Sequence, residues 1–384
     1  GASYSQLPLY EAARQLGAAT VAASTPGDWP GFDVADESVY ADITDPEAIL
    51  AAAQEKGIDG IATCCLDAGV RALGYTCEKM GLIGPSARAA DISNDKFKMK
   101  EAFMAGGGVQ CARHICIHSL EELEEALEKL EFPVVLKAVD LMGSRGIFRC
   151  NTREETFFYY NKTMEATRKD YCLVEEFIEG QVLGCEAMIR DGRLLYCLPN
   201  NIEAFQSYVP TPIGHSVPYR KQEELGAEVR HQVELAIKAV GLDNCPVNCD
   251  LIEKDGKIYV IEITGRAGGT CLPEMVSIYY GINYYEAIVR LALGMDVEEM
   301  FRGKTAGVAN LSRTLLSEKD GVVKAIHNEN EPAEDIVNLS FNITPGEEVH
   351  HYTNGRDRLG GESLESCEKR LQEILSKINI EFTV

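Results

Sequence analysis

Asp250 and Glu262 stand on two runs rich in β-branched residues, 247–252 and 257–263, joined by Lys254-Asp255-Gly256, which has turn chemistry. A β-hairpin would set these two carboxylates on paired strands. Burying an unpaired carboxylate costs so much that it ordinarily acquires a cation, and two oxygen-bearing residues facing each other suit magnesium, a hard ion. Side chains alternate along a strand, so Glu262 and Thr264 share one face while Ile261 and Ile263 share the other. Arg266, Gly268 and Gly269 follow, adding a positive charge and bare backbone amides beside the acids. For any one residue an edge strand with its acids in water is as good a reading; the whole order of acid, turn, acid and Arg-x-Gly-Gly favours a site.

Two further clusters carry chemistry. Lys137 ends the apolar run Pro-Val-Val-Leu, and Gly143-Ser144-Arg145-Gly146 follows six residues later. A lysine held there offers a point charge to phosphate oxygens, and glycines let backbone amides close over them. It is not a Walker loop, because it contains no Gly-Lys-Ser/Thr. Taken alone, a snorkelling lysine beside a turn is the simpler account, and Lys96, just inside its own helix, says less still. The run Val174-Glu175-Glu176-Phe177-Ile178-Glu179-Gly180 sets acids against apolar residues, which suits the amine of an adenine or the hydroxyls of a ribose, or else a solvated edge. His215, in a proline-bearing stretch, is a candidate substrate contact or base, with a surface histidine as the plainer account. Glu203, Arg220, Glu274 and Tyr279 are unranked candidates.

The elements that must position these residues fall into three regions. Residues 1–90 alternate helix (9–16, 46–55) and strand (18–23, 60–65), which predicts a parallel, doubly wound sheet with ligand loops at 1–6 and 65–69. From Ser93 the character changes. Asn94-Asp95-Lys96 opens a helix that stops at Gly106-Gly107-Gly108, followed by a helix at 120–130 and strands at 133–139, 171–177, 185–190 and 193–197. Residues 200–218, with three prolines, read as an irregular loop where a substrate lid would sit. Helices at 222–240 and 284–293 flank the hairpin, and a smaller α+β region begins near 305 and ends in a helix at 363–377. The expected domains are therefore 1–90, 91–304 with a lid over 120–180, and 305–384.

The chain as a whole limits the classes of partner. Its 384 residues carry a net charge of -23, with 60 acids against 37 bases, which argues against a nucleic-acid partner. No apolar run approaches the roughly 18 residues that span a bilayer, so no membrane segment is expected. The 13 cysteines are scattered singly through apolar runs, as befits thiols in a reducing cytoplasm rather than a disulfide scaffold. Cys245 and Cys249 lack a second pair at zinc-ribbon spacing. The opening Gly1-Ala2-Ser3 reads as a loop after a strand that precedes the numbering, and no signal peptide is visible.

In this order and spacing the motifs resemble the ATP-grasp superfamily: Asn94-Asp95-Lys96, Phe132 to Lys137 with Gly143 to Gly146, Glu175 to Ile178, Asp250, and Glu262 to Arg266. The resemblance covers residues 1–300, since Asp42 to Glu47 and Gly81 to Pro85 are similar to the domain that precedes the ATP-grasp fold. Within the superfamily the chain most resembles carboxylate-amine ligases related to bacterial L-amino-acid ligases and to halves of carbamoyl-phosphate synthetase. Val349 to Tyr352 and Arg356 to Gly360 resemble the end domain of such ligases.

The resemblance implies an α/β and α+β protein: an ATP-grasp fold with an N-terminal doubly wound domain and a small C-terminal α+β domain. It implies that Lys96 and Lys137 bind ATP phosphates and that Gly143, Ser144, Arg145 and Gly146 close over them. Glu175, with the backbone of Phe177 and Ile178 and the neighbouring Glu176 and Glu179, would hold the adenosine. Asp250, Glu262 and Thr264 would hold one or two Mg2+ ions. Arg266 would face the phosphoryl group or a substrate carboxylate, with Gly268 and Gly269 donating amides to an oxyanion. Thr264 stands where many members have Asn, and Val182 where many have a ribose-binding Glu, which Glu179 or Glu186 would replace. The implied reaction joins a small carboxylate to an amine, an amino acid on at least one side, through an acyl phosphate, with release of ADP and phosphate. A cytoplasmic homodimer is expected. A bicarbonate-activating carboxylase and a non-catalytic nucleotide-binding regulator are the alternatives.

Overall fold

The computed structural model describes residues 1–141, 145–205, 211–305, 307–317, 320–341, 343–349, 355–361 and 371–383. Its largest unit is an eight-stranded antiparallel sheet in the order Lys257–Thr264, Cys245–Lys254, Gln181–Arg190, Arg193–Phe205, Thr211–Val217, Ala309–Leu315, Gly355–Gly361, Ile336–Phe341. One face of this sheet is apolar. Leu183, Cys185, Val247, Cys249, Leu251 and Ile263 point from it into a core closed by the helices Gln222–Val240 and Lys96–Gly106. Alternation turns Gly184, Glu186, Asn248 and Asp250 to the opposite face.

A four-stranded antiparallel sheet forms the second wall, in the order His114–Ile117, Cys172–Glu176, Val134–Lys137, Ile147–Cys150. Cys172, Val174, Val134 and Leu136 pack with Leu123, Leu127 and Tyr160 of the helices Leu120–Leu127 and Arg153–Ala166. The intervening residues, Glu175 and Lys137 among them, are thereby turned away from that core.

Before residue 90 the parallel pairing is that of Val21–Ser24 with Glu37–Tyr40. The segment 60–65, expected as a strand, instead makes a single bridge from Cys64 to Ala267. That bridge brings the loop after Cys65 against the Arg266 segment. The stretch 200–218 also differs from expectation. Arg193–Phe205 and Thr211–Val217 are paired strands, so Pro212 and Pro218 sit at strand ends rather than in an open loop, and 206–210 lie outside the described residues. Beyond 305, Ala309–Leu315 adds to the large sheet by pairing with Thr211–Val217, and a separate three-stranded sheet follows. Within the last expected helix, 371–375 are helical and 363–370 lie outside the described residues.

Candidate functional site

The two acids of the hairpin are direct cross-strand partners, Asp250 opposite Glu262. A bulge follows at once, because Leu251 pairs with Val260 and Ile261 is left over. Ile261 therefore lines the same cleft as Glu262, whereas simple alternation had put it on the far face. Ile263 returns to the core. Burial, then the nearby Glu262 charge, pushes the Asp250 carboxyl up to about 7. The Lys96 ammonium lies 3.1 Å from Glu262 and donates to the Leu141 carbonyl at 2.8 Å. Burial works against its charge, yet Glu262, Asp67 and Asp250 outweigh that and hold it above the ordinary lysine value.

Lys96 owes its position to a helix start. Asp95 caps the helix by accepting from the Phe97 and Lys98 amides. One turn further, on the same side, Lys100 is buried with its Nζ 3.2 Å from Glu175 Oε2. Lys137 pairs with the other oxygen, Oε1. Although burial raises the Glu175 carboxyl, Lys100 and Lys137 pull it down to about 2. Burial and the Lys100 charge lower the Lys137 ammonium, with Glu175 opposing them. Both Glu175 oxygens are thus engaged by lysines.

Lys96, Lys100, Lys137, Glu175, Asp250 and Glu262 line one cleft between the two sheets. Glu176, Phe177, Ile178 and Gly180 also line it, with the apolar Val135, Ile147, Val182 and Ile252. Glu176 also pairs with Arg113, and the Arg149 guanidinium sits 4.2 Å over the Phe177 ring. Glu179 is exposed. Arg145 is exposed at the start of the Gly146 turn, and the Gly146 carbonyl accepts from Ala138. Gly143 and Ser144 lie outside the described residues.

A smaller cavity adjoins the cleft through Lys96, Leu141 and Glu262, and it is also lined by Asp67, Asn94 and Thr264. Thr264 is buried. Asp67 holds Arg266, whose Nε and Nη2 are each 2.6 Å from Asp67 Oδ1, while Nη1 donates to Asn248 and to the Ala267 carbonyl. The guanidinium is therefore already committed to the protein. Burial disfavours its charge, but the Asp67 carboxylate more than compensates. The Gly268 amide donates to Glu186, at 3.1 Å to Oε1, so it is not turned outward as an oxyanion donor. A Cβ at Gly268 would lie 2.6 Å from that oxygen, whereas Gly269 has open space around it. Glu186 is fully buried and also accepts from Asn248, and burial raises it to about 8. It is held at Gly268 and is not among the residues that line the cleft with Val182.

His215 is on a strand and buried, its Nδ1 3.1 Å from Asn200 Oδ1. Burial depresses it to about 4, so it is neutral at pH 7. Its register partner, Ile202, lines the cleft. Glu203 pairs with Arg313. Sequence reasoning missed Lys100, Asp67 and Asn248, and named Glu186 only as a substitute ribose ligand. Lys100 was signalled by its spacing of four from Lys96, and Asn248 by standing two residues before Asp250. Asp67 falls in the loop already marked as a ligand loop.

The ATP-grasp domain family matches residues 93–270. A crystal structure of phosphoribosylglycinamide synthetase from Anaerococcus prevotii superposes with a TM-score of 0.85 at 38% identity, covering 100% of this chain and 98% of that one. The chain belongs to the ATP-grasp superfamily. It is also 25% identical over 277 residues to an alanine–anticapsin ligase of Bacillus subtilis, covering 66% of this chain and 58% of that protein. The carbamoyl phosphate synthase large chain of Clostridium beijerinckii is 23% identical over 308 residues, 78% of this chain and 28% of that protein. This ATP-grasp chain thus spans about a quarter to three fifths of the curated relatives it matches. No helix among the described residues is long and apolar enough to cross a membrane.

Proposed function

We propose that this protein is an ADP-forming ligase that activates a small carboxylate with ATP and joins it to an amine, an amino acid being at least one of the two. The observation that carries the reading is the convergence of three lysines and the Asp250–Glu262 pair on one cleft whose remaining lining is largely apolar. The lysines suit phosphates, and the apolar Val135, Ile147, Val182 and Ile252 suit an adenine ring, bordered by the Phe177 and Ile178 backbone. The relatives named above support the reaction class.

Among the described residues no group of three or more His, Cys, Asp or Glu is arranged to hold a metal. Two facing carboxylates fit an ion that completes its shell with phosphate oxygens and water, as Mg2+ does. The pair fits that ion electrostatically as well, since burial and Glu262 both disfavour the Asp250 charge until a cation arrives. Asp250 and Glu262 would hold Mg2+, with Thr264 a lesser candidate, and the ion would neutralise charge on the phosphoryl oxygens.

In the first half-reaction the substrate carboxylate attacks the γ-phosphorus and ADP leaves. In the second, the amine adds to the acyl carbon and phosphate leaves. Lys96 and Lys137 would offset charge on the phosphates during transfer, and Arg266 would orient the carboxylate from its seat on Asp67 and Asn248. We further propose the division at about residues 90 and 305, cytoplasmic location and a homodimeric assembly, which light scattering of the purified protein tests.

The deciding experiment is ADP and phosphate release from ATP and Mg2+ with pooled amino acids and other small carboxylates, bicarbonate being tested separately. The ligase requires a carboxylate and an amine together. Release with bicarbonate alone would favour the carboxylase, and nucleotide binding without turnover in any pool would favour the regulator.

A further inference from the structure

The cluster at the phosphate end of the cleft contains two lysines for one carboxylate. Lys100 Nζ is 3.2 Å from Glu175 Oε2, Lys137 holds Oε1, and only 2% of the Lys100 and Glu175 side chains is exposed. Desolvating an ammonium costs several kcal/mol unless a partner compensates, and one carboxylate compensates one ammonium. An apolar residue at position 100 would fill a buried helix position at far less cost. Stability alone therefore does not account for Lys100.

The geometry also ties the two walls together. Lys100 stands on the helix that packs against the large sheet, and its Nζ lies 3.4 Å from the Val260 carbonyl of the hairpin strand. Glu175 belongs to the four-stranded sheet, in register with Val135 at the cleft surface. The ion pair crosses the floor of the cleft between them.

Resting on the ATP-binding reading, we propose that Lys100 is a positioning residue for nucleotide phosphate: by sharing Glu175 it leaves the cluster one positive charge in excess and keeps Lys137 from being neutralised. Without Lys100, Glu175 and Lys137 form a neutral pair, and the cleft loses attraction for a polyanion. The uncharged part of the nucleotide is unaffected, because Lys100 acts through Glu175 and Lys137.

The test measures the dissociation constants of AMP-PNP with Mg2+ and of adenosine by calorimetry on the full chain. Lys100→Met is expected to weaken AMP-PNP by about tenfold, or about 1.4 kcal/mol, relative to adenosine. Adding Glu175→Gln to Lys100→Met returns the cluster to one net positive charge and is expected to restore most of that ratio. Lys100→Arg is expected to keep it. A packing role would instead weaken both ligands together and would not be relieved by Glu175→Gln; either result overturns the proposal. Should Lys100→Met fail to fold, the double variant decides, since a wild-type ratio upholds the charge balance and a tenfold lower ratio overturns it. If the unaltered protein binds no AMP-PNP, the ATP-binding reading itself has failed.

Discussion

Gly268 has a role that its position in Arg-x-Gly-Gly did not reveal: its amide anchors the buried Glu186, and a methyl group there would crowd Glu186, Asn248 and Leu272 at 2.4 to 2.8 Å. Gly268→Ala is expected to cost about 1 to 3 kcal/mol in unfolding free energy, the range for overpacking a buried site, while Gly269→Ala, in open space, costs far less. Denaturant unfolding of both variants checks this. His215 supports a prediction about stability. Its folded value, about 4, is below the unfolded 6.5, so the unfolded chain binds the proton more tightly. The neutral, buried ring therefore contributes fully above pH 6.5, and that contribution is lost as pH falls toward 4, up to about 3 kcal/mol. Denaturant titrations of the wild type and His215→Gln at pH 7 and pH 4.5 are expected to differ in their acid loss by most of that amount; equal losses would refute the assignment. Legibility at this scale followed chemistry that sits in short motifs. Asp250, Glu262 and Lys137 were readable because acids and lysines in apolar strands are expensive. Glu186 was named only for a ribose, and its actual role was hidden because its partners Gly268 and Asn248 lie 82 and 62 residues away.

At the scale of elements, periodicity carried most of the information and failed where pairing is irregular. The helix Lys96–Gly106 was legible from its Asp95 start, and it brings Lys96 and Lys100 to one side. Asp95→Ala removes two capping bonds and is expected to cost about 1 to 2 kcal/mol in denaturant unfolding. Because the first turn carries Lys96, the same variant is expected to weaken AMP-PNP several-fold; an unchanged affinity would separate the cap from the site. The bulge at Asp250 was invisible to an alternation argument, since it depends on which residue of the partner strand each one meets. The strands Arg193–Phe205 and Thr211–Val217 were masked by prolines, which tolerate strand ends and bulges although they disfavour strand interiors. Tertiary pairing outweighed local preference there. The segment 60–65 failed in the opposite sense: its apolar run suits a strand, but it found only the Cys64–Ala267 bridge.

Across the whole molecule the cleft is a seam between two walls with separate cores, one under the four-stranded sheet and one under the hairpin side of the large sheet. Ion pairs hold the seam: Lys100 to Glu175 across the floor, and Arg266 to Asp67 where the N-terminal region meets the hairpin. A nucleotide in the cleft would touch both walls at once, so its binding free energy adds to the stability of the joined state. At a ligand concentration of 100 times Kd that linkage amounts to about 2.7 kcal/mol. AMP-PNP with Mg2+ is therefore expected to raise the unfolding midpoint of the full chain, and AMP-PNP with EDTA to raise it less. Glu262→Gln provides the internal control, because it removes one of the two facing carboxylates and leaves the three lysines in place. In that variant the difference between Mg2+ and EDTA is expected to shrink toward zero while a shift with nucleotide alone persists. If the metal-dependent part survived Glu262→Gln unchanged, the ion would have to sit away from the hairpin. The acid pair would then be explained by Lys96 alone, 3.1 Å from Glu262.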